Sequence, residues 1–169
     1  MAGSAQRAEE IEAFMQSVSP RLFRAALLVC GDWHLAEDLV QTTLGKVFVS
    51  WRRVRRADSP HAYVRTILMR TYLSHVRLHR TSEKPVGELP EQPVAAQDPA
   101  LRLALTQALA LLSPRDRAVV VLRYWEDRSV AQTAKELGMS AGNVRIRSMR
   151  ALSSLRTSLG DEQDVRAGR

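Results

Sequence analysis

Apolar residues recur every three to four positions along most of this chain, which is the spacing of one buried face of an α-helix. The pattern predicts helices over residues 11–18, 22–29, 35–51, 62–78, 101–112 and 115–125. Runs of alternating apolar and polar residues with β-branched enrichment last only a few positions, so strands are not predicted. The expected fold class is all-α.

Serine–proline pairs mark expected helix starts, because serine caps the first turn and proline is tolerated within it. Such pairs occur at Ser19–Pro20, Ser59–Pro60 and Ser113–Pro114. We expect a new helix to begin after each pair. Four helices would then close a first small core, and the later helices a second one.

A proline-rich, acidic segment separates the two groups of helices. Prolines stand at positions 85, 90, 93 and 99, and the acidic residues of this segment outnumber Lys84. Such a segment is extended and does not pack a core. We therefore expect two small helical domains, residues 1–80 and 100–160, joined by a flexible linker at 81–99 and followed by a tail at 161–169.

The second domain ends in the pattern of a helix-turn-helix. Ser129 and Gln132 have the spacing of a capping box, Gly138 suits the tight turn, and Ser140 can cap the next helix. On that helix Val144 and Leu155 fall on a core stripe. The opposite face and its flanks carry the candidate DNA contacts Asn143, Arg145, Ile146, Arg147, Met149 and Arg150.

Arginine, amide and apolar side chains on one exposed face suit phosphate contacts and base edges in a major groove. We expect Arg150 to read a base edge and Arg147 to meet phosphate, because Arg150 lies nearly opposite the core stripe. The alternative is a basic helix that is merely solvated.

The composition indicates the charge of the expected partner and the cellular compartment of the protein. The formal net charge of +7 rests mainly on arginine, which favours an anionic partner, although a GC-rich genome also enriches arginine. Cys30 is the single cysteine, so a disulfide framework and a cysteine metal cluster are excluded. No apolar run has the length of a membrane span and no signal peptide is evident, so we expect a cytoplasmic protein.

Two segments of the first domain indicate binding surfaces. Residues 51–80 combine many arginines with Tyr63 and Tyr72, a composition suited to melted or single-stranded nucleic acid. The alternative for this segment is a basic helix pair with core tyrosines. Around Glu37 and Asp38 an acidic and amide surface suits a protein partner, although a solvated acidic first turn would look the same.

These motifs together resemble the bacterial RNA polymerase sigma factors of the extracytoplasmic function (ECF) type. Residues 36–44 resemble the family's core-polymerase-binding helix, residues 62–67 its promoter-melting helix, and residues 112–156 its fourth domain. The lead-in at residues 30–33 resembles an actinobacterial, SigE-like subgroup. The resemblance implies a factor with the second and fourth sigma domains, which binds core RNA polymerase and directs promoter recognition and transcription initiation.

The resemblance also implies roles for individual residues. It assigns core polymerase binding to Glu37, Asp38, Gln41 and Leu44. It assigns minus-ten DNA binding to Arg52, Arg53, Arg55, Arg56, Tyr63, Arg65, Thr66, Arg70 and Arg77, with residues 52–59 expected as a loop. The helix-turn-helix would recognise the minus-thirty-five element. The implied partners are core polymerase, double-stranded and melted promoter DNA and an anti-sigma factor, with no cofactor, metal or membrane.

Two other classes of function fit the sequence less well. A stand-alone helix-turn-helix regulator would bind DNA without polymerase, but its first domain would not need to be rich in arginine and aromatic residues. An enzyme finds little support, because His75 and His79 lack a third ligand and a catalytic glutamate between them, and no glycine loop cradles phosphate.

Overall fold

The computed structural model describes residues 2–79 and 99–167, with side chains over residues 4–79 and 99–160. The first part holds helices α1 (Ala2–Cys30), α2 (Trp33–Val49), α3 (Trp51–Arg56) and α4 (Pro60–Leu78). The second holds α5 (Pro99–Ala110), α6 (Pro114–Val120), a π-helical turn (Val121–Trp125), α7 (Val130–Leu137) and α8 (Ala141–Ala167). No strand occurs over these ranges, so the all-α expectation is confirmed. The linker, apart from Pro99, lies outside the described residues.

The first domain is a bundle in which α1 packs against α2 and α4. Its centre is formed by Val29, Val47, Leu68, Met69 and Tyr72, each no more than 2% exposed. Burying one such large side chain contributes about 1.5–3 kcal/mol. This core fixes which faces of α2 and α4 are left for partners.

Local capping signals set several helix starts. The Ser59 hydroxyl accepts a hydrogen bond from the Ala62 amide at 3.3 Å, and the Ser113 hydroxyl accepts one from the Asp116 amide at 3.2 Å. Asp32 caps α2 in the same way, with its carboxylate 2.7 Å from the Leu35 amide. The expected starts after Ser59 and Ser113 are confirmed.

The expected helix start at Ser19–Pro20 is wrong, because Pro20 lies inside the continuous helix α1. The Ser19 hydroxyl donates to the Met15 carbonyl at 2.6 Å, a bond within the helix rather than a cap. Interior proline costs a helix about 3 kcal/mol. Val18 and Leu22 on either side are buried, and their burial offsets that cost.

Four other expectations about helix boundaries differ from the structure. Residues 35–51 do not form one helix, since Ser50 separates α2 from α3, and residues 52–56 are helical rather than part of a loop. Buried Trp51 and Val54 anchor this short helix to the core. Residues 115–125 end in a π-helical turn, and α8 continues to Ala167 through most of the expected tail.

The second domain contains the expected helix-turn-helix. Ser129 and Gln132 form a complete capping box, and Gly138 ends α7 with a φ of 63°. That left-handed conformation favours glycine. The Ser140 hydroxyl accepts from the Asn143 amide at 3.1 Å and so caps α8.

The two domains pack directly on each other. Helix α7 contacts α4, while α1 contacts α5, α6 and the π-helical turn. One apolar cluster runs through both domains and includes Val29 and Leu68 from the first and Ala118 and Leu122 from the second. The Arg117 guanidinium also donates to the Val29 carbonyl at 2.8 Å. The proline-rich linker led us to expect two domains joined by a flexible tether. Nothing in the sequence indicated that the two domains pack against each other.

Candidate nucleic-acid interface

Helix α8 exposes the face expected to contact DNA. Val144 and Ala151 are buried, which fixes the rotation of the helix. Ile146 is 54% exposed and Met149 67% exposed on the opposite side. Arg145 and Arg150 are exposed there as well. The structure therefore brings four of the six expected contact residues to one open surface.

The other two, Arg147 and Asn143, are half-buried and bonded to each other. Arg147 Nε donates to Asn143 Oδ1 at 3.1 Å, and its Nη1 lies 2.6 Å from Asp116 Oδ1. This ion pair joins α8 to α6 inside the second domain. Arg147 therefore has a structural partner in addition to its expected phosphate contact.

The arginines of α3 form an exposed basic surface on the first domain. Arg52, Arg53, Arg55 and Arg56 are exposed because Trp51 and Val54 take the buried positions of this short helix. Arg55 lies 3.4 Å from Glu10 of α1. Arg70 and Arg77 are exposed further along, on α4. This surface has the charge needed to follow a phosphate backbone.

Near the start of α4 the expected DNA contacts are much less accessible. Tyr63 is half-buried, and the Thr66 hydroxyl donates to the Ala62 carbonyl at 2.9 Å. The Arg65 side chain is 11% exposed and points into the domain interface. Its guanidinium nitrogens are hydrogen-bonded to carboxylates of the second domain.

Arg65 is held by two buried glutamates. Its Nε and Nη2 each lie 3.1 Å from an oxygen of Glu136, and its Nη1 lies 3.3 Å from Glu126. The Glu126 and Glu136 side chains are 2% and 6% exposed. Arg21 of α1 pairs with Glu126 at 3.0 Å, and Arg128 pairs with Glu136 at 3.1 Å. We call these five residues the interface ion network.

Sequence reasoning missed both glutamates. Glu136 had a local signal, since it falls among the buried positions Thr133, Ala134 and Leu137 of α7. A carboxylate in such a position requires a cation or hydrogen-bond donors. Glu126 has no comparable signal, because its partners come from α1 and α4 of the other domain.

Helix α2 presents the surface expected to bind a protein partner. Glu37, Asp38 and Gln41 are exposed, and Leu44 is half-buried against the core. The Trp33 indole donates to Glu37 at 3.1 Å, which orients that carboxylate.

An apolar extension of this surface was missed. Phe48 is 59% exposed and Val49 86% exposed at the end of α2. Phe48 continues the stripe of Glu37, Gln41 and Leu44 at helical spacing. In the sequence, Phe48 could have been recognised as a large apolar residue next to the core position Val47, outside the buried stripe of α2.

Histidine, cysteine and carboxylate side chains do not gather into a metal site over residues 4–79 and 99–160. No group of three or more histidine, cysteine, aspartate or glutamate side chains there could hold a metal ion. Burial raises the pKa of the Cys30 thiol to about 11, so the thiol is protonated near neutral pH. None of the helices in residues 2–79 and 99–167 combines the length and the apolar character that a membrane span needs.

Comparison with known families matches both domains. Residues 14–81 match the model of Sigma-70 region 2, and residues 102–155 match that of Sigma-70, region 4. The two matches fall on the bundle that carries α2 to α4 and on the helix-turn-helix domain.

Relatives match along nearly the whole chain. The RNA polymerase sigma-E factor of Streptomyces coelicolor is 36% identical over 161 residues, which cover 94% of this chain and 91% of that protein. The ECF RNA polymerase sigma factor SigL of Mycobacterium tuberculosis is 32% identical over 148 residues, 82% of each. The sigma factor RpoE of Bartonella quintana, solved in complex with the anti-sigma factor NepR, has a similar fold. It superposes with a TM-score of 0.76 at 24% identity, over 90% of this chain and 98% of that one.

Proposed function

Because the chain belongs to the RNA polymerase sigma factors of the extracytoplasmic function type, we propose that its exposed helical faces divide three tasks of transcription initiation. A factor of this family binds core RNA polymerase and directs it to promoters, and it is not itself an enzyme. The stand-alone regulator is not favoured, because Sigma-70 region 2 covers the first domain. We place the protein in the cytoplasm, where core polymerase works.

Binding of core polymerase is the task we assign to α2. The exposed carboxylates of Glu37 and Asp38 would meet a basic surface, and Gln41 would add hydrogen bonds. Phe48, exposed on the same stripe, supplies an apolar anchor. Aromatic residues, phenylalanine included, are enriched in protein–protein interfaces. This extends the surface beyond Leu44.

Recognition of the minus-thirty-five element is the task we assign to α8. The single observation that carries this assignment is the open face of Arg145, Ile146, Met149 and Arg150, held outward by the buried stripe of Val144 and Ala151. Arginine reads guanine edges bidentately, and apolar side chains contact the thymine methyl group. An exposed apolar pair between arginines suits that combination.

Opening of the minus-ten element is the task we assign to α3 and α4. The α3 arginines would hold the phosphate backbone, while Tyr63, Arg65 and Thr66 would meet the opened strand. Extruding a base costs on the order of a few kcal/mol, so charged side chains at the site must offset that cost. An anti-sigma partner remains a prediction of the sequence resemblance.

The test is transcription in vitro with purified core RNA polymerase on a library of genomic fragments. We expect defined start sites that depend on this protein, and an Asp38→Arg variant that loses them. The same reaction returns the promoter sequences. Absence of protein-dependent transcripts, or tight sequence-specific DNA binding without core polymerase, would contradict the assignment and favour a stand-alone regulator.

A further inference from the structure

We propose that the free protein is locked closed by its interface ion network, and that this closed form withholds Arg65 from promoter DNA until the domains separate. The inference rests on the proposed role of α4 in opening the minus-ten element. Its structural part, the lock, stands on the contacts between the domains alone.

Three ionic contacts cross the interface, and they converge on two carboxylates. Arg21 and Arg65 come from the first domain, and Glu126 and Glu136 from the second. The two glutamates and Arg65 are nearly inaccessible to water, so their attraction is screened much less than that of a surface pair. A continuous apolar cluster and the bond from Arg117 to the Val29 carbonyl hold the same interface. Closure is therefore specific rather than a chance approach.

The two glutamates bind the guanidinium N–H groups of Arg65, which are the groups that a contact with DNA would use. Both carboxylates accept the guanidinium N–H donors that would otherwise bind phosphate or a base. Glu136 receives two of these donors in the fork geometry that an anionic oxygen pair of DNA also offers. Within the closed form Arg65 is unavailable to a nucleic acid.

The masking is selective. The α2 surface of Glu37 and Asp38 stays exposed in the closed form, as does the α8 face of Arg145 and Arg150. Core polymerase and duplex DNA can therefore reach their proposed surfaces before the domains part. Only the contact with the opened strand must wait for separation.

The experiment weakens the lock from the second domain with Glu136→Gln, which keeps the shape of the side chain. The matched control is Asp127→Asn, which removes the same charge from an exposed side chain nearby that makes no ion pair over the described residues. X-ray scattering of the free protein measures the radius of gyration. Fluorescence anisotropy measures affinity for a labelled single strand that carries the minus-ten sequence recovered by transcription in vitro.

We expect Glu136→Gln to increase the radius of gyration and to tighten single-strand binding about tenfold, while Asp127→Asn leaves the radius unchanged. Arg21→Gln weakens the lock from the first domain without altering the second. Arg24→Gln is its matched control, because over the described residues the Arg24 side chain bonds to the Pro20 carbonyl of its own helix. Arg21→Gln should open the chain in the same direction. If Glu136→Gln fails to fold, the comparison of Arg21→Gln with Arg24→Gln tests the lock in its place.

The outcomes separate the lock from the function of α4. A radius of gyration unchanged by both Glu136→Gln and Arg21→Gln overturns the lock, whatever the promoter role of the protein. An increased radius with unchanged single-strand affinity overturns the masking of Arg65. A wild-type protein that is already extended in free solution overturns both.

Discussion

Arg150→Ala should alter promoter choice without destabilising the protein. Arg150 is exposed on α8 and forms no hydrogen bond or ion pair within the described residues. Surface substitutions of this kind change the free energy of unfolding by no more than about 0.5 kcal/mol. Loss of a bidentate contact with guanine costs about 1–3 kcal/mol, or roughly 5- to 150-fold in discrimination at one base pair.

Arg147→Ala should lower both the stability of the protein and its affinity for all promoters. Its guanidinium pairs with Asp116, and the two side chains are only 22% and 15% exposed. Removal leaves a partly buried carboxylate without its cation, which costs about 1–3 kcal/mol of stability. The loss of a phosphate contact should weaken all promoters alike and reduce the salt dependence by about one unit of slope.

The assay is holoenzyme binding to a panel of promoters with single-base changes in the minus-thirty-five element, alongside thermal unfolding. Arg156→Ala serves as control, since it removes the same charge from an exposed position farther along α8. Arg150→Ala must change the rank order of promoters, and Arg147→Ala must preserve it while lowering the melting temperature. If the rank order changes only for Arg147→Ala, the assignment of the two arginines is reversed.

Three further predictions concern other parts of the chain. Asp38→Arg and Phe48→Ser should each weaken co-purification with core polymerase about tenfold or more, with melting curves close to wild type because both side chains are exposed. Gly138→Ala should destabilise the protein by about 1 kcal/mol because φ is 63° there, whereas Gly142→Ala, within a helix, should stabilise it by up to about 1 kcal/mol. Burial raises the pKa of the Cys30 thiol from 9.0 to about 11, so the unfolded chain loses this proton first. Cys30 should therefore contribute a fall of about 2 kcal/mol in the free energy of unfolding as pH rises from 9 to 11, and urea denaturation of Cys30→Ala should show a shallower fall.

Features set within one helical turn could be predicted from the sequence. The capping box of Ser129 and Gln132, the turn at Gly138 and the cap at Ser59 each depend on residues no more than a few positions apart. The rotation of α8 about its axis could be predicted from the same local spacing, because its single apolar stripe must face the core and so fixes which side is exposed. These signals sufficed to place the helix-turn-helix and its exposed face.

Features that depend on distant residues could not be predicted. Pro20 interrupts the local pattern of a helix, yet buried neighbours keep α1 continuous. Arg65 was expected to face DNA, and nothing near it in the sequence shows that its carboxylate partners lie 61 and 71 residues away. Docking of the domains depends on such pairs, and the linker that separates them carries no information about it.

The composition of the interface ion network suits a reversible lock better than a permanent one. Desolvating buried charges offsets much of their mutual attraction, so the net free energy by which the network favours the closed form is small. Separation returns Arg21 and Arg65 to water or to DNA, while Glu136 keeps Arg128 of its own domain. Shifting a two-state equilibrium from 1:99 to 99:1 requires about 5.5 kcal/mol of differential binding. A partner bound with nanomolar affinity provides about 12 kcal/mol. Core polymerase can therefore open the chain if at least about 5.5 kcal/mol of that binding free energy, a little under half, depends on the open form.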